Sequence, residues 1–222
     1  MDLRRFSNGI ALCGALALTL AVASPARANP FETTLSNGLR VIVKEDRRAP
    51  VAMHMVWYRV GAMDEKDGTT GVAHLLEHMM FKGTKKLKPG EFNDIVARAG
   101  GNDNAFTSHD YTAYFQRVPA AALPKMIELE ADRMRNLVIG DDEFARELKV
   151  VMEERRLRTD DQPQSQMHEQ LMASAFIAHP YRRPVIGWMN DLENMRPDDA
   201  RDWYRLWYAP NNAYVVVVGD VD

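Results

Sequence analysis

His74-Leu75-Leu76-Glu77-His78 restricts the fold of this chain more than any other segment. On an α-helix, positions four apart lie one turn from each other on the same face, so both imidazoles point at one place. Gly71-Val72-Ala73 leads into the segment and Met79-Met80-Phe81 follows it, which makes the helix mostly apolar and therefore buried. Unpaired imidazoles and a carboxylate are costly in such a setting. A helix carrying two histidines and a glutamate needs no metal when it lies on a surface. In a buried one, a zinc ion held by His74 and His78, with Glu77 beside it as a base, satisfies all three groups. This is the H-x-x-E-H order, the inverse of H-E-x-x-H.

Zinc needs a third protein ligand, and catalysis needs the fourth position left for water. The strongest source is the run from Asp141 to Arg155. Asp141 and Asp142 suit a helix N-terminus. Phe144, Leu148 and Val151 recur at helical spacing and predict a buried stripe. Glu147 and Glu154, seven apart, stack on one flank of that stripe. Glu153 points to the solvated side with Arg146 and Arg156, while Arg155 does not fit the pattern. Read alone, without the histidine segment, Glu147 and Glu154 are better taken as a charged helix edge pairing with arginines.

The stretch Gly71 to Thr84 resembles the signature of the pitrilysin/insulinase/mitochondrial processing peptidase family of zinc endopeptidases. That family places a glutamate ligand about seventy to eighty residues beyond the second histidine. Glu154 stands 76 positions after His78, and Glu153 stands 75. The helical face, and the family's valine-rich run ending in the ligand, both favour Glu154. Glu147, two turns earlier, resembles the family's accessory acidic residue. The likeness runs from about Phe31 to the end of the sequence.

The resemblance implies one Zn2+ per chain held by His74, His78 and Glu154. Zinc polarises a scissile carbonyl and lowers the pKa of its water toward about 7. Glu77 would take a proton from that water and deliver it to the leaving amine, with Glu147 orienting the site from behind.

Gly100-Gly101 breaks the chain before Asn102-Asp103-Asn104-Ala105-Phe106-Thr107, a Ser108-His109-Asp110 turn and an alternating strand, which reads as a hairpin. Most hairpins are purely structural. In the family the similar Asn-Ala-x-Thr segment is a sheet edge along which substrate lies extended, so the resemblance makes Asn104, Ala105, Phe106 and Thr107 substrate contacts. His109 reads as a turn residue. His54, His168 and His179 show no metal spacing.

Arg4-Arg5, an apolar stretch over residues 10–22 and Ala26-Arg27-Ala28 have the form of a secretory signal peptide, residues 1–28, cleaved before Asn29. The stretch is short for a membrane span. The expected address is a bacterial periplasm. Cleavage removes three arginines and one aspartate, carrying the formal net charge from −3 to −5. It also removes Cys13, the single cysteine, so the metal must be bound through N and O ligands. Mild acidity gives no footprint for nucleic acid.

The expected fold is α+β: a mainly antiparallel sheet with helices packed on one face. Strands are expected at residues 31–35, 39–44, 51–60 and 212–219, besides the hairpin. Helices are expected from about residue 90 to 99, 120 to 137, 141 to 158, 165 to 178 and 197 to 208. Residues 179–195 read as irregular, and the sequence 181–184 as loop packing. Met79 and Met80 are expected to line the metal pocket. Family members form a two-domain clamshell whose second half brings an arginine and a tyrosine to the substrate. Residues 29–222 then correspond to the N-terminal catalytic domain, and a second domain in cis or a partner subunit in trans would complete the site. The expected function is a zinc metalloendopeptidase acting on peptides or unfolded segments. The rival readings are a non-catalytic partner subunit and a peptide- or metal-binding module.

Overall fold

The computed structural model describes residues 30–222. The signal-peptide pattern and Cys13 lie outside the described residues.

Strands β1 (Phe31–Thr34), β2 (Arg40–Glu45), β3 (Val51–Tyr58), β4 (Asn102–Thr107), β5 (Thr112–Pro119) and β6 (Ala213–Gly219) form one six-stranded sheet in the order β1-β2-β6-β3-β5-β4. The sheet is α+β in context and mostly antiparallel. β6 runs parallel to β2 and antiparallel to β3. Alternation in β3 sets the two faces. Ala52, His54, Val56 and Tyr58 are buried beneath the helices, whereas Met53, Met55 and Trp57 on the other face are half-buried.

Helices α1 (Val72–Met79), α2 (Glu91–Arg98), α3 (Leu123–Asn136), α4 (Asp141–Arg155), α5 (Pro163–Ala175), α6 (Met189–Asn194) and α7 (Pro197–Trp207) complete the fold. α1 lies at the centre, against α4, α7 and β4. Its Val72, Leu75, Leu76 and Met79 join Val56, Tyr58, Tyr114 and Trp203 in the main core, each contributing about 1.5–3 kcal/mol on burial. Gly71 opens the helix in the left-handed region, φ 89°. A Cβ there would stand 2.7 Å from the Ile186 carbonyl oxygen, so the close approach of two chain segments requires glycine. The side-chain oxygens of Glu65 accept the backbone N–H groups of Gly71 and Ala73, both at 2.9 Å, and so satisfy the first turn of α1.

On the buried face of α3, the fully buried Arg133 pairs with Glu130. Its guanidinium packs on the rings of Phe92 (4.3 Å), Tyr114 (4.5 Å) and Phe81 (5.0 Å). Glu130 accepts from Gln116 Nε2 at 2.5 Å, and Gln116 pairs with His54 at 2.8 Å, so His54 is a core residue, as its spacing predicts.

Three expectations change. Residues 179–195 are not wholly irregular, because Met189–Asn194 forms α6; six residues are too few for periodicity to declare a helix. α5 begins at Pro163 rather than residue 165, with proline in the first turn, where its missing N–H costs nothing. Met79 and Met80 are 0% and 1% exposed in the core instead of lining the metal pocket, since they lie on the far side of α1 from the histidines. Among the described residues, no helix is long and apolar enough to cross a membrane.

Candidate metal centre

α1 and α4 pack so that the two sequence-distant halves of the predicted site meet. His74 Nε2 lies 3.8 Å from Glu154 Oε1, and His78 Nε2 lies 3.4 Å from Glu154 Oε2. Among the described residues these three form the group able to hold a metal ion, their ligand atoms all within 4.8 Å of one another. A tetrahedral zinc with bonds of about 2.0–2.2 Å separates its ligand atoms by roughly 3.3–3.5 Å, so small side-chain movements would close this set around an ion.

Protonation suits that use. Burial, reinforced by the neighbouring His78, pushes the His74 imidazole down to about 3, which keeps it neutral with a lone pair to give. His74 Nδ1 is buried and has no hydrogen-bond partner among the described residues. His78 is oriented from the other side: its Nδ1–H donates to Glu147 Oε1 at 2.9 Å, leaving Nε2 facing Glu154. Burial favours protonating Glu147. The bonds from His78 and from Lys82, whose Nζ lies 2.7 Å from Oε2, outweigh it and hold the carboxyl below its ordinary value.

Glu77 opens onto the same cleft. Burial raises its carboxyl, against the Thr107 hydroxyl that donates to Oε2 at 2.5 Å. Thr107 thus stands on the glutamate, a role distinct from the substrate contact expected of it. The cleft, of about 490 Å³, is lined by His74, Glu77, His78 and Glu154, by residues 104–107 of β4, and by Arg158, Thr159, Val185 and Ile186. Arg158 Nη1 lies 2.5 Å from Glu154 Oε1.

Among the described residues β4 is the outermost strand on this side of the sheet, and one row of its backbone groups has no neighbouring strand there. Asn104 Oδ1 accepts the N–H of Ala105 at 2.9 Å. The four predicted edge residues Asn104, Ala105, Phe106 and Thr107 therefore do flank the metal-ligand group.

The remaining histidines stand apart from the cluster. His109 Nε2 meets the Arg183 carbonyl at 3.1 Å, and His179 accepts from the Tyr181 backbone at 3.2 Å. His168 lines a neighbouring pocket. Sequence reasoning missed Lys82, Arg158, Thr159, Val185 and Ile186. Arg158 had a signal, since it sits four residues after Glu154. Val185 and Ile186 had none, because they come from an irregular segment.

Comparison with known proteins gives the same direction. The family model of insulinase, peptidase family M16, matches residues 40–188. The chain is 45% identical over 190 residues to the zinc protease PqqE of Helicobacter pylori, covering 85% of this chain and 43% of that protein. It is 30% identical over 202 residues to the mitochondrial-processing peptidase subunit beta of Lentinula edodes, covering 90% and 43%. The crystal structure of a protease from Helicobacter pylori superposes with a TM-score of 0.85 at 43% identity, covering 87% of this chain and 47% of that one. The periplasmic protease PqqL from Escherichia coli gives 0.80 at 26% identity, covering 88% and 22%. The chain spans less than half the length of these relatives.

Proposed function

The chain belongs to the insulinase family, peptidase family M16, and from that premise we propose that it carries the metal-binding half of a zinc-dependent endopeptidase. The observation that carries this reading is the convergence of His74 Nε2, His78 Nε2 and the Glu154 carboxylate in a cleft that also holds Glu77. When bound there, zinc would supply Lewis-acid polarisation of a peptide carbonyl and a water acidic enough to ionise near neutral pH.

The chain's own residues divide the rest. His74, neutral because it is buried, presents Nε2 to the ligand position. Glu147 fixes His78 in the tautomer that leaves Nε2 available. Glu77, with Thr107 holding one carboxylate oxygen, has the other oxygen available to take a proton from an attacking water and return it to the leaving amine. A peptide laid along the free edge of β4 gains main-chain pairing at residues 104–107 and brings its carbonyls over the cleft. Asn104 must release the Ala105 N–H as the strand docks.

On the same reading, residues 29–222 act as the N-terminal catalytic domain, with a second family domain in cis or a partner subunit in trans closing over the peptide. Substrates are peptides or unfolded segments able to extend. The signal-peptide pattern at residues 1–28 supports export to a bacterial periplasm. The test is cleavage of a fluorogenic peptide by the full protein, with chelator and then with zinc restored. The proposal expects loss and recovery. Zinc and peptide binding without cleavage would make it a binding module instead.

A further inference from the structure

Arg155, the residue after the candidate ligand Glu154, is the one position on α4 that the helical pattern left unexplained. It is 5% exposed at the last turn of the helix. Its guanidinium forks onto Glu169 of α5, Nη1 to Oε2 at 2.8 Å and Nη2 to Oε1 at 2.9 Å. Nη1 also donates to the Gly187 carbonyl at 2.8 Å, and Nη2 lies 3.4 Å from Asp160. One side chain thereby joins four segments: the ligand helix, the wide turn at residues 156–160, α5 and the strand of chain before α6.

Two of those segments supply the cleft wall opposite β4, namely Thr159 on one and Val185 and Ile186 on the other. α5 packs on the wide turn and on the segment at residues 180–182, at the surface. None of its residues is buried, and Met167 and Leu171 are 68% and 59% exposed. A helix without a buried apolar face takes its position from specific polar ties.

We propose that Arg155 is a positioning residue for the metal cleft: through Glu169 and Gly187 it sets the distance between the β4 edge and the opposite wall, and so the fit of an extended peptide. This rests on the peptidase reading above. The tie touches the wall and no ligand atom, so it acts alike on ground state and transition state and appears in KM rather than kcat.

The test uses the zinc-loaded protein together with its completing second domain or partner subunit, carrying Glu169→Gln or Arg155→Lys. Both variants should raise KM about ten-fold while kcat changes less than about three-fold. Zinc content should stay equal to wild type. Hydrogen exchange should quicken over residues 163–175 and 185–187, and stay unchanged over residues 72–79. A KM within about two-fold of wild type in both variants overturns the proposal; so does loss of zinc alongside KM, which would make Arg155 a support of the ligand itself. Should Glu169→Gln fail to fold, Arg155→Lys, which keeps the charge and loses only the fork, decides the question. Should the wild type, joined to its completing second domain or partner subunit, cleave no peptide, the peptidase reading fails on its own, and exchange at α5 still tests the tie.

Discussion

His78 and Glu147 share a 2.9 Å hydrogen bond across the α1–α4 interface, with the imidazole Nδ1–H as donor because an ionised carboxylate can only accept. The bond turns a helix–helix contact into a device for aiming Nε2. Lys82, one turn beyond His78, holds the second oxygen of the same carboxylate at 2.7 Å and keeps it from swinging away.

Removing the acceptor should therefore loosen the metal without deleting a ligand. Glu147→Ala is expected to weaken zinc binding by about 10–100-fold, measured by competition with a chromogenic chelator. Unchanged affinity would show that His78 needs no orienting partner.

Glu77 and the three convergent side chains should separate cleanly. Glu77→Gln is expected to retain a full equivalent of zinc while turnover falls by about 10²–10⁴-fold. His74→Ala and Glu154→Ala should lose the metal itself. Elemental analysis beside peptide cleavage distinguishes the two outcomes. Normal turnover by Glu77→Gln would remove it as the base.

Glu65 gives the fold a pH dependence of its own. Burial pushes its carboxyl up from the ordinary 4.5 to about 8, against the two backbone N–H groups that favour the charged form. Between those values the native state keeps a proton that the unfolded chain has released. The contribution is thus present below the window and lost as pH rises through it. Glu65→Gln carries no titrating proton, so the fall in melting temperature of the metal-free chain between about pH 5 and 8 should be steeper in wild type than in the variant. Parallel curves would place the Glu65 carboxyl in its ordinary range.

The parts of the site legible in the sequence are those governed by local periodicity. His74, Glu77 and His78 share one helix turn, and Glu147 and Glu154 share one helix flank, so each group's geometry follows from spacing alone. Their meeting across 76 positions came from family resemblance, which no periodicity supplies. Arg155 was illegible because its partner, Glu169, lies on another helix. Val185 and Ile186 reach the cleft through tertiary packing of a segment with no pattern. For the sheet, strand positions and the hairpins were readable from alternation and turn residues. The pairing of β6 between β2 and β3 was not, since apolar strands accept either neighbour.

That placement of β6 has a consequence for how the molecule is made. Among the described residues the β1–β2 hairpin joins the rest of the sheet only through β6, whose residues 213–219 are synthesised some 170 positions after β2. Until then, β2 and β3 each lack the neighbour that β6 provides, and the two pieces of sheet have open edges there. A long-range closure of this kind is slow and leaves strand edges free to meet other chains. Such a chain depends on being kept apart from its own copies until β6 is in place.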